Sequence, residues 1–261
     1  MNVVTEPSVY LVGRTTMDAE EVQRFLASEK TAWTTDGENG SELICELAGR
    51  VCYLSFGEKQ GRRSNRAYLE NIISMEHGSV LEHAVWNFVI TGVSRSFTHE
   101  LIRHRAGFGY SQLSQRYVDE SETDFVEPDI IAGDPELHEI WLQAVTQAHE
   151  AYVRLAEGLA GRLERERPDL KARDKRKRSR EAARSVLPNA TETKIFVTAN
   201  ARALRHFVEY RGAADAEPEI RKVALAILEV MRREAPVLFG DYEIQESPTG
   251  EWAATTPHRK V

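Results

Sequence analysis

The first chemically informative feature is an arginine-rich segment near the middle of the chain. The triplet Arg103-His104-Arg105 is followed by residues 107–117, which are rich in Gly, Ser and Gln. Guanidinium groups bind phosphate bidentately, and such a loop offers backbone N–H groups and hydroxyls. This composition suits an anionic, polar ligand such as a nucleotide. The alternative is a helix end whose basic residues neutralise its own carbonyl groups.

A second arginine group lies within residues 184–211. If residues 200–212 form a helix, Arg211 lies at the end of an apolar stripe made by Leu204, Phe207 and Val208. A guanidinium in an apolar environment requires a partner, because an isolated buried charge is very costly. The partner could be a bound ligand or a nearby carboxylate such as Glu209 or Asp215, and the residues alone favour the carboxylate slightly.

Other site classes find little support. The chain has no GxGxxG after a strand and no GxxxxGK[ST], so neither common phosphate-binding loop is indicated. His99 and His104 resemble the pair of an HExxH zinc motif, but one extra residue turns them about 140° apart on a helix. The basic run 173–180 is interpreted as a solvated helix face rather than a nucleic-acid contact.

Composition narrows the class of protein further. The chain has 261 residues, 41% hydrophobic and 29% charged, with a net charge of −7. This profile predicts a globular, cytoplasmic protein without a membrane span or general nucleic-acid binding. Cys45 and Cys52 would lie roughly 10 Å apart on one helix, too far for a disulfide, and are expected to be buried structural thiols. No metal site is expected.

Strands and long helices alternate without a βαβ rhythm, which favours a single-domain α+β fold spanning residues 1–261. On the helix that Asn200 should cap, Arg202 and His206 share a second face. Predicted helices cover 42–54, 64–76, 96–104, 134–167, 174–187, 200–212 and 218–235. Predicted strands cover 9–12, 85–90, 191–198 and 237–244.

The helix predicted over residues 134–167 would be about 50 Å long. Its apolar residues recur at spacings of three and four, and Asp134 with Pro135 gives a clear start. A helix of this length extends beyond a compact domain of this size. Part of its apolar stripe is therefore expected to pack on another subunit.

The sequence resembles the flavin-dependent thymidylate synthases, also called the thymidylate synthase complementing protein family. The resemblance rests on Arg103-His104-Arg105 followed by Ser114, Gln115, Arg116 and Tyr117. Segments 76–83, 92–102, 183–188 and 200–211 continue it in the same order. One departure is that eight residues, not the usual seven, separate Arg105 from Ser114. A glycine, Gly107 or Gly109, is interpreted as the inserted residue, because glycine can take positive φ.

The resemblance implies a role for each matching position. Arg211 is the implied catalytic residue, binding the uracil ring and stabilising negative charge on it. The implied FAD-binding residues are Ser79, Arg103, His104, Arg105, Gln112, Asn200, Arg202 and His206. The implied substrate-binding residues are Glu100, Arg103, Gln112, Ser114, Gln115, Arg116, Arg184 and Arg211.

The resemblance further implies reductive methylation of dUMP to dTMP. Methylenetetrahydrofolate would supply the carbon and FAD, reduced by NADPH, the hydride. The fold would have a central, mostly antiparallel sheet flanked by long helices, in a homotetramer with active sites between subunits. Two alternatives remain: a non-catalytic nucleotide- or RNA-binding regulator, and a flavoenzyme acting on another pyrimidine nucleotide. Ser114 could be a nucleophile, but no adjacent base is evident, so a binding role is preferred.

Overall fold

The computed structural model describes residues 1–261 and combines helices with short sheets. The strands are β1 (Val3–Val4), β2 (Ser8–Arg14), β3 (Val85–Ser94), β4 (Phe108–Gln112), β5 (Phe125–Val126), β6 (Glu192–Asn200), β7 (Glu243–Glu246) and β8 (Trp252–Thr255). The helices are α1 (Ala19–Ser28), α2 (Gly40–Tyr53), α3 (Asn65–Ser74), α4 (Arg95–Leu101), α5 (Asp129–Ala132), α6 (Pro135–Glu166), α7 (Ala172–Ala183), α8 (Ala201–Arg211), α9 (Pro218–Glu234) and α10 (Pro236–Phe239). This content confirms the predicted α+β class.

The strands form three sheets. The largest has four strands in the order β2-β3-β6-β4. β7 and β8 pair in antiparallel fashion, with Ile244 opposite Ala254. β1 and β5 form a short parallel pair. Sequence neighbours therefore do not pair throughout, and β6 lies between β3 and β4 although it follows both in the chain.

The chain folds into two compact units. Unit 1 comprises Met1–Ser8, Ile90–Ile102 and Ser111–Ile195. Unit 2 comprises Val9–Val89, Arg103–Tyr110 and Phe196–Val261. Both units contain segments from distant parts of the sequence, and the single domain predicted from the sequence stays a prediction.

Unit 2 contains a fully buried ion pair between Glu46 and Arg50 on consecutive turns of α2. Arg50 Nε lies 2.7 Å from Glu46 Oε1, and neither side chain is more than 1% exposed. Glu46 also accepts hydrogen bonds from the side chains of Trp33, Thr35 and Asn65. Protein donors therefore hydrogen-bond both oxygens of the carboxylate, as a buried charge requires.

The apolar core of unit 2 is built from β3, α8, α9 and α10. Its largest fully buried apolar side chains include Trp86, Phe207 and Phe239. The rings of Trp86 and Phe239 meet edge to face with centroids 6.1 Å apart. Three-residue and four-residue spacing places five residues of α9 in the same core: Ile220, Val223, Ala224, Ile227 and Met231.

Unit 1 contains the long helix α6. Asp134 caps it by accepting the N–H groups of Glu136 and Leu137, and Pro135 is its first residue. At 32 residues the helix is about 48 Å long. Only Val145 and Tyr152 are fully buried, while Leu137, Ile140 and Leu155 are 41–60% exposed. Its predicted packing on another subunit stays a prediction. No helix is both long enough and apolar enough to cross a membrane.

One predicted element is wrong. Residues 237–244 do not form a strand: Pro236–Phe239 is the short helix α10, and β7 begins at Glu243. Val237, Leu238 and Phe239 are all buried, which a helical turn allows and an alternating strand does not. The N–H of Val237 donates to the buried carboxylate of Glu42 (2.7 Å), which satisfies a donor of the first turn.

Several predicted boundaries also change. The strand predicted over residues 85–90 continues to Ser94, because Gly92 takes φ +68° and lets the chain pass the carbonyl of Glu6. The helix predicted over 174–187 ends at Ala183 and is followed by a 3-10 turn. Leu187 is extended (ψ 132°), the conformation favoured before a proline. α1 and β4 were not predicted at all.

The two cysteines are free, but only one is buried. Burial raises the pKa of the Cys45 thiol to about 12, so this thiol is neutral and unreactive. Cys52 is exposed because it lies one residue before the end of α2, where the helix leaves the core. The expectation of two buried thiols is therefore wrong for Cys52.

We expect Glu46→Ala to destabilise the protein strongly, since it leaves the Arg50 guanidinium buried without its charged partner. The expected loss in the free energy of unfolding is about 3–5 kcal/mol, measured by urea denaturation. Glu166→Ala is the matched control, because Glu166 pairs with Arg162 at the same spacing on an exposed surface. Its expected cost is below about 1 kcal/mol. Equal losses for the two variants would contradict this account.

Candidate functional site

The triplet Arg103-His104-Arg105 follows α4 rather than lying on it. The predicted helix 96–104 is corrected to Arg95–Leu101, with Ser94 as its N-cap. The carbonyl of His104 accepts a hydrogen bond from the hydroxyl of Tyr110 (2.7 Å). Burial raises the pKa of Tyr110, so its hydroxyl stays protonated and remains a donor at neutral pH. His104 is half-buried, whereas both arginines of the triplet are exposed.

His104 orients Arg211. The Nε–H of Arg211 donates to Nε2 of His104 at 3.0 Å. An imidazole nitrogen accepts only when it carries no proton, so this geometry requires neutral His104 with its proton on Nδ1. The His104 ring packs edge to face on Phe207, with centroids 5.2 Å apart, and lies 5.8 Å from the ring of His206.

Glu209 is one of the two carboxylates that the sequence offered as partners for Arg211, and it binds other groups. Glu209 accepts hydrogen bonds from the Nε of Arg259 and the N–H of Lys260, both at 2.9 Å. The hydrogen bond to His104 holds the Arg211 guanidinium in one orientation, which suits a group that interacts with negative charge on a ligand.

Helix α8 has the two faces that the sequence predicts. Asn200 caps it, accepting the N–H of Ala203 through Oδ1 at 2.8 Å. Leu204, Phe207 and Val208 are fully buried on one face. The other face borders a cavity of about 480 Å³, lined by Glu82, Ala106, Gly107, Asn200, Arg202, Ala203, His206, Tyr210, Lys260 and Val261. Three predicted FAD-binding residues thus meet at one cavity: Asn200, Arg202 and His206.

Ser79 lies in unit 2 on the 3-10 helix Gly78–His83, where its side chain is exposed. This segment was not predicted to be helical. On the same helix, Glu82 accepts a hydrogen bond from Arg202 Nη1 at 2.6 Å. Both side chains of this pair are nearly half exposed, so the pair is weak and can exchange for a ligand.

Gly107 is the glycine that the turn before β4 requires. It takes φ +73°, and a Cβ there would lie 2.7 Å from Asn200 Nδ2 and 2.8 Å from Ala203 Cβ. Gly109 lies within β4, has no positive φ, and its nearest neighbour would be 3.7 Å from an added Cβ. Of the two glycines offered as the inserted residue, only Gly107 takes positive φ, and its identity as the inserted residue stays a prediction.

A second set of predicted residues lies in unit 1. Gln112 donates from Nε2 to Thr98 Oγ1 (2.9 Å), which itself donates to the Arg95 carbonyl. Arg95 in turn donates from Nη2 to the Leu113 carbonyl at 2.9 Å. These bonds fix the start of the segment that carries Ser114, Gln115 and Arg116.

The remaining predicted substrate-binding residues differ in exposure. Ser114 begins a turn in which its carbonyl accepts the N–H groups of Tyr117 and Val118, and its own side chain is half-buried. Gln115 is buried, and Glu100 on α4 is half-buried. Arg116 lies 3.6 Å from Glu181, and Arg184 is exposed in the 3-10 turn after α7.

Sequence reasoning missed several residues around these two sets. Arg95 is half-buried, and burial lowers its pKa, while burial raises the pKa of Glu120, which lies 4.0 Å away. Tyr210 follows His206 by four residues, a spacing that could have placed it on the same face. No motif or spacing in the sequence around Lys260 indicated that this residue would line the cavity. No group of three or more His, Cys, Asp or Glu residues is arranged to hold a metal ion.

The residues described above suit anionic, aromatic ligands: they include exposed guanidinium groups, imidazoles and a cavity beside a helix N-terminus. A family model described as thymidylate synthase complementing protein matches residues 34–237. The chain belongs to the thymidylate synthase complementing protein family.

Relatives support the same assignment over nearly the whole chain. The flavin-dependent thymidylate synthase of Mycobacterium sp. (strain KMS) is 47% identical over 235 residues, which are 89% of this chain and 92% of that protein. The flavin-dependent thymidylate synthase of Corynebacterium efficiens is 43% identical over 235 residues, 90% of this chain and 92% of that protein.

The fold is similar to that of a solved structure. The crystal structure of the UMP/dUMP methylase PolB from Streptomyces cacaoi, bound with 5-Br dUMP, superposes with a TM-score of 0.61. The match covers 92% of this chain and 96% of that one at 23% identity. At this identity the likeness shows a shared fold.

We expect Gly107→Ala to lower the free energy of unfolding by about 1–3 kcal/mol, because alanine is strained at positive φ and would press on Asn200. Gly109→Ala is the matched control, since its added methyl group makes only ordinary contacts. Its expected cost is below about 1 kcal/mol. Urea denaturation measures both, and an equally large loss for Gly109→Ala would contradict the strain assigned to a side chain at Gly107.

Proposed function

We propose that this protein catalyses the reductive methylation of dUMP to dTMP, with FAD as cofactor. Methylenetetrahydrofolate is the carbon donor and NADPH the reductant of the flavin. Family membership supports the reaction class, and the relatives are flavin-dependent thymidylate synthases. The motif residues between Ser79 and Arg211 all lie within the matched segment 34–237.

The observation that carries the proposal is the cavity on α8. It joins Asn200, Arg202 and His206, three residues assigned to FAD on motif grounds alone. Its volume of about 480 Å³ falls within the range of small-molecule sites and accommodates a large part of a dinucleotide. The close approach of Gly107 to Asn200 leaves backbone at the cavity wall, where a Cβ would collide. The residues present therefore fit a flavin nucleotide.

At this cavity of unit 2, Asn200, Arg202 and His206 bind the cofactor. The other proposed cofactor-binding residues are Ser79 and the Arg103–Arg105 triplet, also in unit 2, and Gln112 in unit 1. When bound, FAD supplies the redox chemistry, and the protein supplies binding, orientation and charge. Arg202 can exchange its exposed partner Glu82 for a cofactor phosphate, because an exposed ion pair contributes little stability.

The residues proposed to bind the nucleotide are, in unit 1, Glu100, Gln112, Ser114, Gln115, Arg116 and Arg184, and, in unit 2, Arg103 and Arg211. Arg116 and Arg184 bind the dUMP phosphate through guanidinium forks, and Glu100, Ser114 and Gln115 line the nucleotide site. The pair of Arg116 with Glu181 is 3.6 Å long and about 40% exposed on both sides, so phosphate can replace Glu181. Gln112 is positioned by Thr98 rather than by solvent, which lowers the entropy lost on binding.

Arg211 is the catalytic residue of the proposal. Its guanidinium is oriented by neutral His104, so its charge does not have to reorganise when negative charge develops on the uracil ring. Ser114 has no histidine or carboxylate hydrogen-bonded to its hydroxyl, which favours binding over nucleophilic attack. Cys45 is neutral and buried, which disfavours a cysteine-dependent route through that thiol.

The proposed assembly is a homotetramer with active sites between subunits, located in the cytoplasm. The exposed apolar residues of α6, including Ile140 at 60% exposure, support packing against another chain. Folate and dUMP are the proposed small-molecule partners, and neither nucleic acid nor a membrane is proposed as a partner.

A flavoenzyme acting on another pyrimidine nucleotide is the second candidate. PolB, which shares the fold, is a UMP/dUMP methylase, so UMP is the informative competitor. A non-catalytic nucleotide- or RNA-binding regulator is the third candidate, and it would have no need of bound flavin.

The direct test incubates purified protein with dUMP, methylenetetrahydrofolate, FAD and NADPH and detects dTMP by chromatography. We expect product that depends on both flavin and NADPH. Methylation of UMP in preference to dUMP would favour the second candidate. A protein that binds nucleotide but neither binds flavin nor forms product would favour the regulator.

We expect Arg211→Ala to reduce dTMP formation at least about 100-fold, because it removes preorganised charge stabilisation in the transition state. FAD binding should be largely retained. Arg211→Lys keeps the charge but loses the planar fork, so it should recover only part of the rate. Arg233→Ala, which removes an exposed arginine from α9, is the control and should keep full activity. Unchanged turnover in Arg211→Ala would refute its catalytic role.

A further inference from the structure

Residues 256–261, hereafter the strap, lie against the helix that carries the proposed flavin-binding residues. Glu209 on α8 accepts hydrogen bonds from the Nε of Arg259 and from the N–H of Lys260, both at 2.9 Å. The side chain of Glu209 is only 6% exposed, whereas that of Arg259 is 71% exposed, so these bonds lie at the protein surface. Arg205, one turn earlier on α8, donates from Nη2 to the carbonyl of His258 at 3.2 Å.

The anchor of the strap, Arg205, is itself buried, and both of its terminal nitrogens are hydrogen-bonded, whereas its Nε has no partner. Arg205 is 1% exposed and binds both carboxylate oxygens of Asp241, at 2.6 and 2.8 Å. Asp241 also accepts the hydroxyl of Thr256, the first residue of the strap. The strap is therefore held at both ends by charge-assisted hydrogen bonds, which are stronger than neutral ones.

This anchoring brings Lys260 and Val261 to the cavity lined by Asn200, Arg202 and His206. Val261 is 3% exposed, and its carbonyl carbon lies close to Gly78. A Cβ on Gly78 would be 3.0 Å from that carbon and 2.9 Å from Arg202 Nε. The strap is thus packed as one wall of the cavity.

Lys260 adds a positive charge to this wall. Its backbone takes φ +64°, which places the residue at the turn held by Glu209. The ammonium group makes no ion pair, whereas Arg202 on the same cavity is paired with Glu82. An anionic ligand in the cavity would meet Lys260 without first displacing a carboxylate from it.

We propose that Lys260 is a further phosphate-binding residue of the flavin pocket, and that Glu209 positions it through the strap. The inference rests on the proposed function and extends it to Lys260, which lies outside the matched family segment 34–237. The ligand group is the diphosphate of the dinucleotide cofactor. An ammonium group suits it as a mobile point charge with three donors.

The experiment titrates the full-length protein with FAD and with riboflavin, which has the same ring system but no phosphate. Lys260→Glu should weaken FAD binding about ten- to thirtyfold and leave riboflavin binding within about twofold, because only the phosphates meet Lys260. Lys260→Arg should keep most of the FAD affinity. Added salt should weaken FAD binding less in Lys260→Ala than in the unaltered protein.

Lys30→Glu is the matched control. Lys30 is also an exposed lysine at positive φ (51°), and its substitution changes the net charge equally without touching the cavity. It should leave FAD affinity unchanged. Equal losses in Lys30→Glu and Lys260→Glu would mean a general charge effect and would overturn the inference.

Glu209→Ala tests the positioning role. It should weaken FAD binding severalfold, again without an effect on riboflavin, and its effect should not add to that of Lys260→Ala, since both act through one contact. Full additivity, or equal loss for FAD and riboflavin, would overturn the proposed role. Unaltered protein that binds no flavin would overturn the flavin assignment itself, whereas FAD binding insensitive to Lys260→Glu overturns only this inference.

Discussion

The burial of one face of α8 determines the direction of the residues on its other face. Leu204, Phe207 and Val208 are inaccessible to solvent, which fixes the rotation of the helix about its axis. Because side chains three and four residues apart share a face, Arg202, His206 and Tyr210 are then directed together into the cavity. The orientation of three polar residues is thus stabilised by apolar contacts they do not make themselves.

The same helix carries a buried charge whose cost has to be offset. Burial alone would lower the pKa of Arg205, but the hydrogen bonds and charge of Asp241 outweigh it and raise that pKa. The Asp241 carboxyl is affected in the opposite sense: Arg205 outweighs burial and lowers its pKa. This pair links α8 to the segment around Asp241, and replacing either partner alone would strand a buried charge. The ion pair between Arg205 and Asp241 therefore fixes α8 against that segment, in addition to the apolar packing of the helix.

The sequence predicted elements whose signals are local. α6 and α8 have an N-cap residue, regular apolar spacing and a clear end, so both were located closely. β4 was missed because Phe108–Gln112 alternates with Gly and Ser, and it becomes a strand only by pairing with β6, about 80 residues further along the chain. The site residues came from a motif rather than from periodicity. Lys260 could not be found either way, because its position depends on Glu209, 51 residues earlier.

The additional residue between Arg105 and Ser114 can be placed by the geometry of the strand that follows. Side chains alternate along a strand, so an insertion within β4 would reverse the faces of every residue after it. The bond from the Leu113 N–H to the Lys194 carbonyl and that from Gln112 to Thr98 both lie at or beyond the end of β4. Absorbing the residue at Gly107, before the strand, leaves these contacts and the Ser114 turn undisturbed. A residue absorbed at Gly107 lies beside Asn200, at the wall of the cavity on α8, rather than in the segment that carries Ser114.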